Sequence, residues 1–185
     1  PGVHIKLHNV TGRDGMMMLR SNEADFAVGS MLDVPEDIHY QPIFDFPTVL
    51  ITPVDHPLGG KRQDRIRLEE IGRYGLIIPP RHLATWPMIE AVFQQHGVNY
   101  TVALEAGGWE VIKKYVAMGL GISIITDICL TGDESIARIP LDRFFAHRSY
   151  GIVVRRQKHL PPPARKFIEM MVPSTTEELG SVQTN

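Results

Sequence analysis

The stretch EAGGWEVIKKYVAMGLGISIIT, residues 105–126, decides the fold class. It overlaps the end of TVALE, residues 101–105, which is rich in strand-forming residues. Residues 109–118 carry apolar side chains at helical spacing, and residues 122–125 have the composition of another buried strand. A strand, a helix and a strand in succession make a crossover connection, which joins parallel strands. The stretch therefore predicts an α/β fold.

Glycines mark both ends of the helix in this crossover. Gly119 stands directly after the helix, where glycine is favoured because it adopts the left-handed conformation without a steric penalty. Gly119 and Gly121 do not form a dinucleotide-binding fingerprint, since that motif precedes a helix instead of following one. Gly107 and Gly108 do precede the helix, and bare backbone N–H groups at a helix N-terminus stabilise an anion. With Trp109, these two glycines form the first candidate binding segment.

Composition limits the class of protein. The chain has 185 residues and 43% hydrophobic content, enough for one domain or two small lobes. Its formal net charge of −2 argues against general binding to nucleic acid or to membrane surfaces. No apolar run reaches the length of a membrane-spanning helix, so no membrane association is expected.

Cysteine and histidine give no indication of a catalytic or metal site. The single cysteine, Cys129, follows an apolar strand; we interpret it as a small buried hydrophobic residue, in a chain suited to the reducing cytoplasm. His4 and His8 share one face of a predicted strand but are separated by roughly 13 Å. They are too far apart to share a metal ion without a third element. We therefore expect no metal and no cofactor.

Alternating and periodic patterns predict the remaining elements. Residues 3–9 alternate apolar and polar side chains, which is typical of a half-buried strand. Residues 15–22, with their run of methionines, should form a short helix, and residues 24–30 a buried strand. The further predicted strands are residues 44–52, 76–78, 136–139 and 149–154, and the further predicted helices are residues 87–96 and 164–171.

The alternation of predicted strands and helices along the chain is compatible with two lobes. Residues 48–53 and 124–127 are the two places where the chain could pass from one lobe to the other. A central lobe, residues 54–126, would then be inserted into an outer lobe made of residues 1–53 and 127–172. The polar tail, residues 173–185, is expected to be disordered.

Three loops follow predicted strands and are candidates for ligand binding, because ligands of open α/β sheets bind beyond the carboxyl ends of strands. They contain Gly29-Ser30, residues 79–85 and residues 106–109. Arg81 could pair with a carboxylate or sulfate in bidentate fashion, although it could equally be a surface arginine. Ser30 and Thr85 could donate hydroxyl groups to a ligand or simply cap a turn or helix.

Several stretches, taken in order, resemble the LysR-type transcriptional regulators. They are EADFAVGS (residues 23–30), HPLGGKRQDRIRLEEIGRYGLII (residues 56–78) and VIKKYVAMGLGISII (residues 111–125). VIKKYV in particular is similar to the branch that contains the cysteine-regulon regulator. The resemblance extends over roughly residues 1–171.

The resemblance implies an effector domain of the type II periplasmic-binding-protein class, with two Rossmann-like lobes joined by two crossover strands. The family's ligand lies between the lobes. A further contact of the family, a first helix, lies upstream of Pro1, so the outer lobe is expected to be N-terminally incomplete. The effector-binding residues carried over or inferred are Gly29, Ser30, Met31, Pro80, Arg81, His82, Thr85, Gly107, Gly108 and Trp109.

The implied function is sensing of a small anionic metabolite, sulfur-containing or carboxylate, by a cytoplasmic regulator. DNA contact is expected only through an N-terminal helix-turn-helix outside these 185 residues. A homodimer or homotetramer is expected, with contacts through residues 3–9 and 101–118. No G-x-S-x-G motif occurs and Ser30 has no evident base, so we do not expect an enzyme, although enzymes such as porphobilinogen deaminase share the two-lobed architecture. An exported solute-binding receptor is the alternative.

Overall fold

The computed structural model describes residues 2–81, 83 and 85–171. The predicted tail at residues 173–185 lies outside this range. Short 3₁₀ turns occur at Gln63–Arg65 and Asp127–Cys129. The helices and strands follow in the order α1 (Gly12–Arg20), β1 (Ala27–Gly29), β2 (Ile38–Phe46), β3 (Thr48–Pro53), α2 (Leu68–Gly72), β4 (Gly75–Ile78), α3 (Thr85–Gln95), β5 (Thr101–Glu105), α4 (Trp109–Ala117), β6 (Ser123–Thr126), β7 (Ile136–Pro140), β8 (Arg148–Arg155) and α5 (Pro162–Met171).

The chain divides into two compact units. Unit 1 consists of Pro1–Asp45 and Ser149–Asn185, and unit 2 is the continuous segment Phe46–Arg148. The boundaries of these units lie at residues 45/46 and 148/149, whereas the expected lobe boundaries lie at 53/54 and 126/127. The physical reason is that β3 pairs with both β6 and β7, so residues on either side of those boundaries belong to one sheet. The chain therefore leaves unit 2 at Arg148 and not near residues 124–127.

Unit 1 is built on a three-stranded sheet in the order β1-β8-β2, in which β1 and β8 are antiparallel. Helix α1 begins after Thr11, whose side-chain oxygen accepts a hydrogen bond from the Asp14 backbone N–H, as an N-cap residue should. Two small apolar clusters fill the unit. One contains Leu19, Ile38 and Val153, and the other contains Ile152, Val154, Leu160 and Ile168.

Unit 2 contains the parallel crossover that residues 101–126 predict. Strands β4 and β5 are parallel, and Leu76 of β4 also forms a parallel bridge with Ile122, directly before β6. The strands on either side of α4 therefore both run parallel to β4, which confirms the strand–helix–strand interpretation. Strand β3 lies between β6 and β7 and is antiparallel to both.

Apolar side chains cover both faces of the unit 2 sheet. Alternate residues of β3 belong to different clusters, since Leu50 packs with α3 while Val49 and Ile51 pack with α4. Because successive side chains of a strand point to opposite faces, the two helices lie on opposite sides of the sheet. At Gly121, a Cβ atom would lie 2.6 Å from the Gly75 carbonyl oxygen, so only glycine fits where the chain returns from α4 to the sheet.

The prediction of a half-buried strand at residues 3–9 is wrong. These residues have no regular secondary structure, and Val3, Ile5 and Leu7 are 57%, 61% and 90% exposed. Alternating apolar and polar residues would give a strand one apolar face, but a strand is stable only when it pairs with another strand. No strand of the described ranges pairs with this segment. The strand predicted at residues 24–30 is also shorter and less buried than expected. Only Ala27–Gly29 is strand, with Val28 53% exposed, since β1 pairs on one side only.

Candidate functional site

Two of the three candidate loops leave the same edge of the unit 2 sheet. Ile78 of β4 lies opposite Glu105 of β5, and the Ala106 backbone N–H donates to the Ile78 carbonyl oxygen at 3.0 Å. Because the two strands are parallel, the loop that contains Pro80, Arg81 and Thr85 and the loop that contains Gly107 and Gly108 start side by side. We call this the carboxyl edge of unit 2.

The third candidate loop belongs to unit 1. Gly29 is the last residue of β1, and Ser30 is half-buried. Met31 packs against the cluster of Leu19, Ile38 and Val153, so at least part of its side chain serves the core. His82, which the resemblance also places in the site, lies outside the described residues.

Arg81 already has an acidic partner. Its guanidinium lies 3.7 Å from Glu90, and it sits over the ring of Trp86 at 5.8 Å from the centroid. The same Glu90 carboxylate accepts a hydrogen bond from the hydroxyl of Tyr100. The Arg81 side chain is 55% exposed. These contacts give Arg81 a role in covering Trp86 and compensate its charge locally.

Thr85 and Arg148 form a polar contact at the start of α3. Thr85 is the first residue of α3 and only 8% exposed, and its Oγ1 accepts a hydrogen bond from Arg148 Nη1 at 2.8 Å. The sequence predicted the helix from residue 87; it starts two residues earlier, with Pro87 inside the first turn, where its missing N–H costs nothing. The contact therefore places a guanidinium at a helix N-terminus, where backbone N–H groups already favour an anion.

The glycine pair before α4 leaves that helix without a side-chain cap. Gly108 is the N-cap residue, with φ of 85° and ψ of 134°, and its position receives no side-chain hydrogen bond. Both Gly107 and Gly108 are exposed, and a Cβ atom at either would meet nothing within 4 Å. Trp109 is half-buried and packs against the α4 side of the core. Of the three residues, the glycines are open to solvent and Trp109 has a structural contact.

A buried ion pair fixes the segment that follows β6. The Lys113 side chain is 4% exposed, and its Nζ lies 2.6 Å from Glu134 Oε1 and 2.9 Å from Glu110. Glu134 also accepts hydrogen bonds from the backbone N–H groups of Thr131 and Gly132, both at 2.9 Å. The Lys113 hydrogen bond first, and then the Thr131 N–H, lower the pKa of Glu134 from 4.5 to about 2. This pair ties α4 to residues 131–134.

Cys129 is the last residue of the 3₁₀ turn that follows β6. Burial raises the pKa of its thiol to about 11, while the positive charges of Lys113 and Arg148 oppose that rise. The thiol packs, half-buried, against the cluster on the α4 side of the sheet. Its interpretation as a packing residue instead of a nucleophile agrees with this environment.

The carboxyl edge of unit 2 combines two helix N-termini with the Arg148 guanidinium and the Thr85 hydroxyl. Among the described residues, no three or more histidine, cysteine, aspartate or glutamate side chains are grouped closely enough to hold a metal ion. Within the same ranges, every helix is too short or too polar to span a lipid bilayer.

Sequence reasoning missed Arg148. It stands at the start of the apolar run RSYGIVV, 63 positions from Thr85, and nothing in its local sequence distinguishes it from other surface arginines. Only the fold, which brings the start of β8 to the start of α3, reveals this contact.

Comparison with known proteins identifies the family. The LysR substrate binding domain family matches residues 1–175. The HTH-type transcriptional regulator SsuR of Burkholderia cenocepacia is 28% identical over 180 residues, which are 96% of this chain and 58% of SsuR. The HTH-type transcriptional regulator CysB of the same organism is 24% identical over 182 residues, which are 97% of this chain and 58% of CysB. This chain therefore spans less than two thirds of the length of these relatives, and neither relative is named as an enzyme.

A solved structure supports the same assignment. The regulatory domain of CcmR from Synechocystis PCC6803, in complex with 2-PG, has a TM-score of 0.81 and 27% identity to this chain. The match covers 95% of this chain and 85% of that domain. It confirms the predicted α/β fold of the two-lobed, type II periplasmic-binding-protein class.

Proposed function

The chain belongs to the LysR substrate binding domain family, and from that premise we propose that it senses a small anionic metabolite on behalf of a full-length transcriptional regulator. The observation that carries the proposal is the contact between Arg148 and Thr85 at the N-terminus of α3. A helix N-terminus and a guanidinium both stabilise negative charge, and here they are joined at one sheet edge.

In this proposal Arg148, and not Arg81, supplies the main positive charge. Arg81 is exposed and faces Glu90, and an exposed pair of this kind contributes little to binding or stability. Arg148 is half-buried and is held by a threonine that is itself buried. A guanidinium has five N–H donors, so it can donate to Thr85 and to an oxyanion at the same time. Gly107 and Gly108 add exposed backbone at the neighbouring loop.

The effector class we propose is an oxyanion, either a sulfur-containing metabolite or a carboxylate. CcmR was solved with 2-PG, and SsuR and CysB are regulators of the same family. The family match and the names of these relatives favour a regulator over an exported solute-binding receptor. DNA binding would belong to the helix-turn-helix part of the full-length protein, and the cytoplasm is its proposed location.

We further propose that two copies of the chain associate. Strand β5 is an edge strand whose residues are mostly exposed, with Val102 38% exposed. Met118, directly after α4, is 63% exposed, and residues 3–9 present Val3, Ile5 and Leu7 to solvent. An unpaired edge strand needs a partner or protection, and exposed apolar side chains favour the same outcome. A homodimer, or a homotetramer built from dimers, would cover these surfaces.

Isothermal titration calorimetry on the 185-residue chain tests the effector proposal. The panel contains sulfate, thiosulfate, 2-PG and benzoate, and benzamide serves as the uncharged match to benzoate. We expect at least one anion to bind with a Kd below about 1 mM, equivalent to roughly 4 kcal/mol. Binding of benzamide as tight as that of every anion, or no binding by any anion, would overturn the proposal.

A further inference from the structure

Unit 1 contains a concave surface rich in arginine that no part of the proposed function uses. It has a volume of about 540 Å³, is open to solvent, and is lined by Arg20, Glu36, Asp37, Arg155, Arg156 and Gln157. We call this surface the arginine groove. Its volume lies within the range of small-molecule sites. All six residues belong to unit 1, at the end of α1, before β2 and at the end of β8.

Each guanidinium of the groove is held in place by contacts within the unit. Arg20 forms a bidentate pair with Asp37, at 2.7 and 2.8 Å. Arg155 donates to the Arg20 carbonyl oxygen at 3.4 Å and to the Asn22 side chain at 3.1 Å. Arg156 donates through Nε to the Ile38 carbonyl oxygen at 3.0 Å. Side chains fixed in this way lose little conformational freedom when a ligand binds.

Donors remain after these contacts are counted. In the described part of the chain, the two terminal nitrogens of Arg156 and Nη1 of Arg20 have no hydrogen-bond acceptor. Nε of Arg155 is buried and likewise has no acceptor there. The terminal nitrogens of Arg156 and Nη1 of Arg20 are therefore the donors that a ligand in the groove could use.

The charge of the groove favours an anion. Three guanidinium groups face two carboxylates, and Asp37 is already taken up by Arg20. The hydrogen bond from Arg20 lowers the pKa of Asp37, and the charge of Arg155 adds to this effect. Glu36 is exposed and is the one lining carboxylate for which the described residues provide no cation.

We propose that the arginine groove is a second anion site, which binds a tetrahedral oxyanion such as a phosphate or sulfate group of a small molecule. A carboxylate has two oxygens, which a single guanidinium fork satisfies. Three guanidinium groups around one groove instead match an anion that presents three or four oxygens. The arginine groove shares no residue with the carboxyl edge of unit 2.

The test is a titration of the isotope-labelled chain with inorganic phosphate, sulfate and acetate, followed by amide NMR. We expect saturable shifts at the amides of residues 155–157 with phosphate or sulfate, and much weaker shifts with acetate. Arg156→Gln should weaken this binding by about fivefold, since it removes one partly exposed charged hydrogen-bond donor. Arg13→Gln, an exposed arginine of α1 outside the groove, is the matched control and should leave the affinity unchanged.

A second variant tests the sign of the effect. Glu36→Gln should tighten phosphate binding by about twofold to threefold, because it removes a repelling carboxylate from the rim. Arg148→Gln, at the carboxyl edge of unit 2, should leave the shifts at residues 155–157 unchanged. The proposal fails if neither oxyanion gives saturable shifts, if Arg156→Gln and Arg13→Gln behave alike, if Glu36→Gln weakens binding, or if Arg148→Gln abolishes the shifts. The last result would assign the anion to the effector site alone.

Discussion

Glu134→Gln is the substitution whose effect on stability follows most directly from the geometry. Glu134 Oε1 lies 2.6 Å from the Nζ of the buried Lys113, and both of its oxygens accept backbone N–H groups. A glutamine at this position keeps an oxygen for the backbone but loses the charge that Lys113 faces. The ammonium then retains only Glu110, whose side chain is 84% exposed.

The magnitude can be worked from the pKa of Glu134. Its fall from 4.5 to about 2 corresponds to about 3 kcal/mol, at about 1.36 kcal/mol per tenfold change in the protonation equilibrium. The side chain is 15% exposed, and solvent screening reduces this figure, so we expect a loss of about 2 kcal/mol at pH 7.

The pH dependence carries a definite sign. A carboxyl group whose pKa is lowered on folding stabilises the protein above its ordinary pKa and ceases to do so as pH falls through the folded-state value. The difference between the wild type and Glu134→Gln should therefore be constant above about pH 5 and shrink between pH 4.5 and pH 2.

Urea denaturation followed by circular dichroism, repeated from pH 3 to pH 8, measures the difference in free energy of unfolding. Glu105→Gln is the control, since Glu105 is exposed at the end of β5 and has no ion pair among the described residues. The reasoning is refuted if Glu134→Gln is no less stable than Glu105→Gln at pH 7, or if its deficit persists unchanged at pH 3.

Three further predictions concern the backbone, the thiol and the assembly. Gly108→Ala should destabilise the chain by about 1–3 kcal/mol, since φ is 85° and ψ is 134° there, a backbone conformation that L side chains rarely adopt. Gly107→Ala, where φ is not positive, should not, and equal thermal shifts for the two variants would contradict this. At pH 8 the native Cys129 thiol, with its pKa of about 11, should react with an aromatic disulfide reagent about a hundredfold more slowly than in urea, and equal rates would show that it is not buried. Val102→Glu should shift the mass measured by light scattering at micromolar concentration from dimer to monomer, while a strict wild-type monomer, or a dimer indifferent to this charge, would remove β5 from the interface.

The elements that sequence predicted best are those whose signals are local. The crossover through residues 101–126 is predictable because glycine marks the end of α4 and apolar residues recur on one helix face. Gly119 indeed has φ of 78°, and the helix ends one residue before its C-cap, Met118. Propensity, spacing and turn chemistry agree over this stretch, so the pattern determines the structure.

Predictions that depended on distant partners were less accurate. Residues 3–9 have the alternating pattern of a strand, but no described strand pairs with them. The pattern of a segment carries no information on whether a partner strand is available. The end of unit 2 at Arg148 could not be predicted from the sequence for a related reason. Pairing of β3 with β7 holds residues 136–140 in unit 2, and no local signal encodes that pairing.

The same distinction applies to the candidate site. The glycines before α4 and the loop after β4 were recognisable because each follows a strand directly, and they do lie at one sheet edge. Arg81 was a natural candidate by its position, but its pairing with Glu90 depends on how α3 packs. Arg148 could not be found from sequence, because its relation to Thr85 exists only in the folded unit.

The central claim is that the Arg148 guanidinium at the start of α3 holds an anionic effector. The most direct measurement compares Arg148→Gln with Arg81→Gln by calorimetry, using the tightest-binding anion of the panel and confirming the fold of each variant by circular dichroism. We predict that Arg148→Gln weakens binding at least about tenfold, as expected for a charged hydrogen bond worth about 1.5–3 kcal/mol, whereas Arg81→Gln changes it by less than about threefold. Unchanged affinity in Arg148→Gln, or a larger loss in Arg81→Gln, would contradict the account.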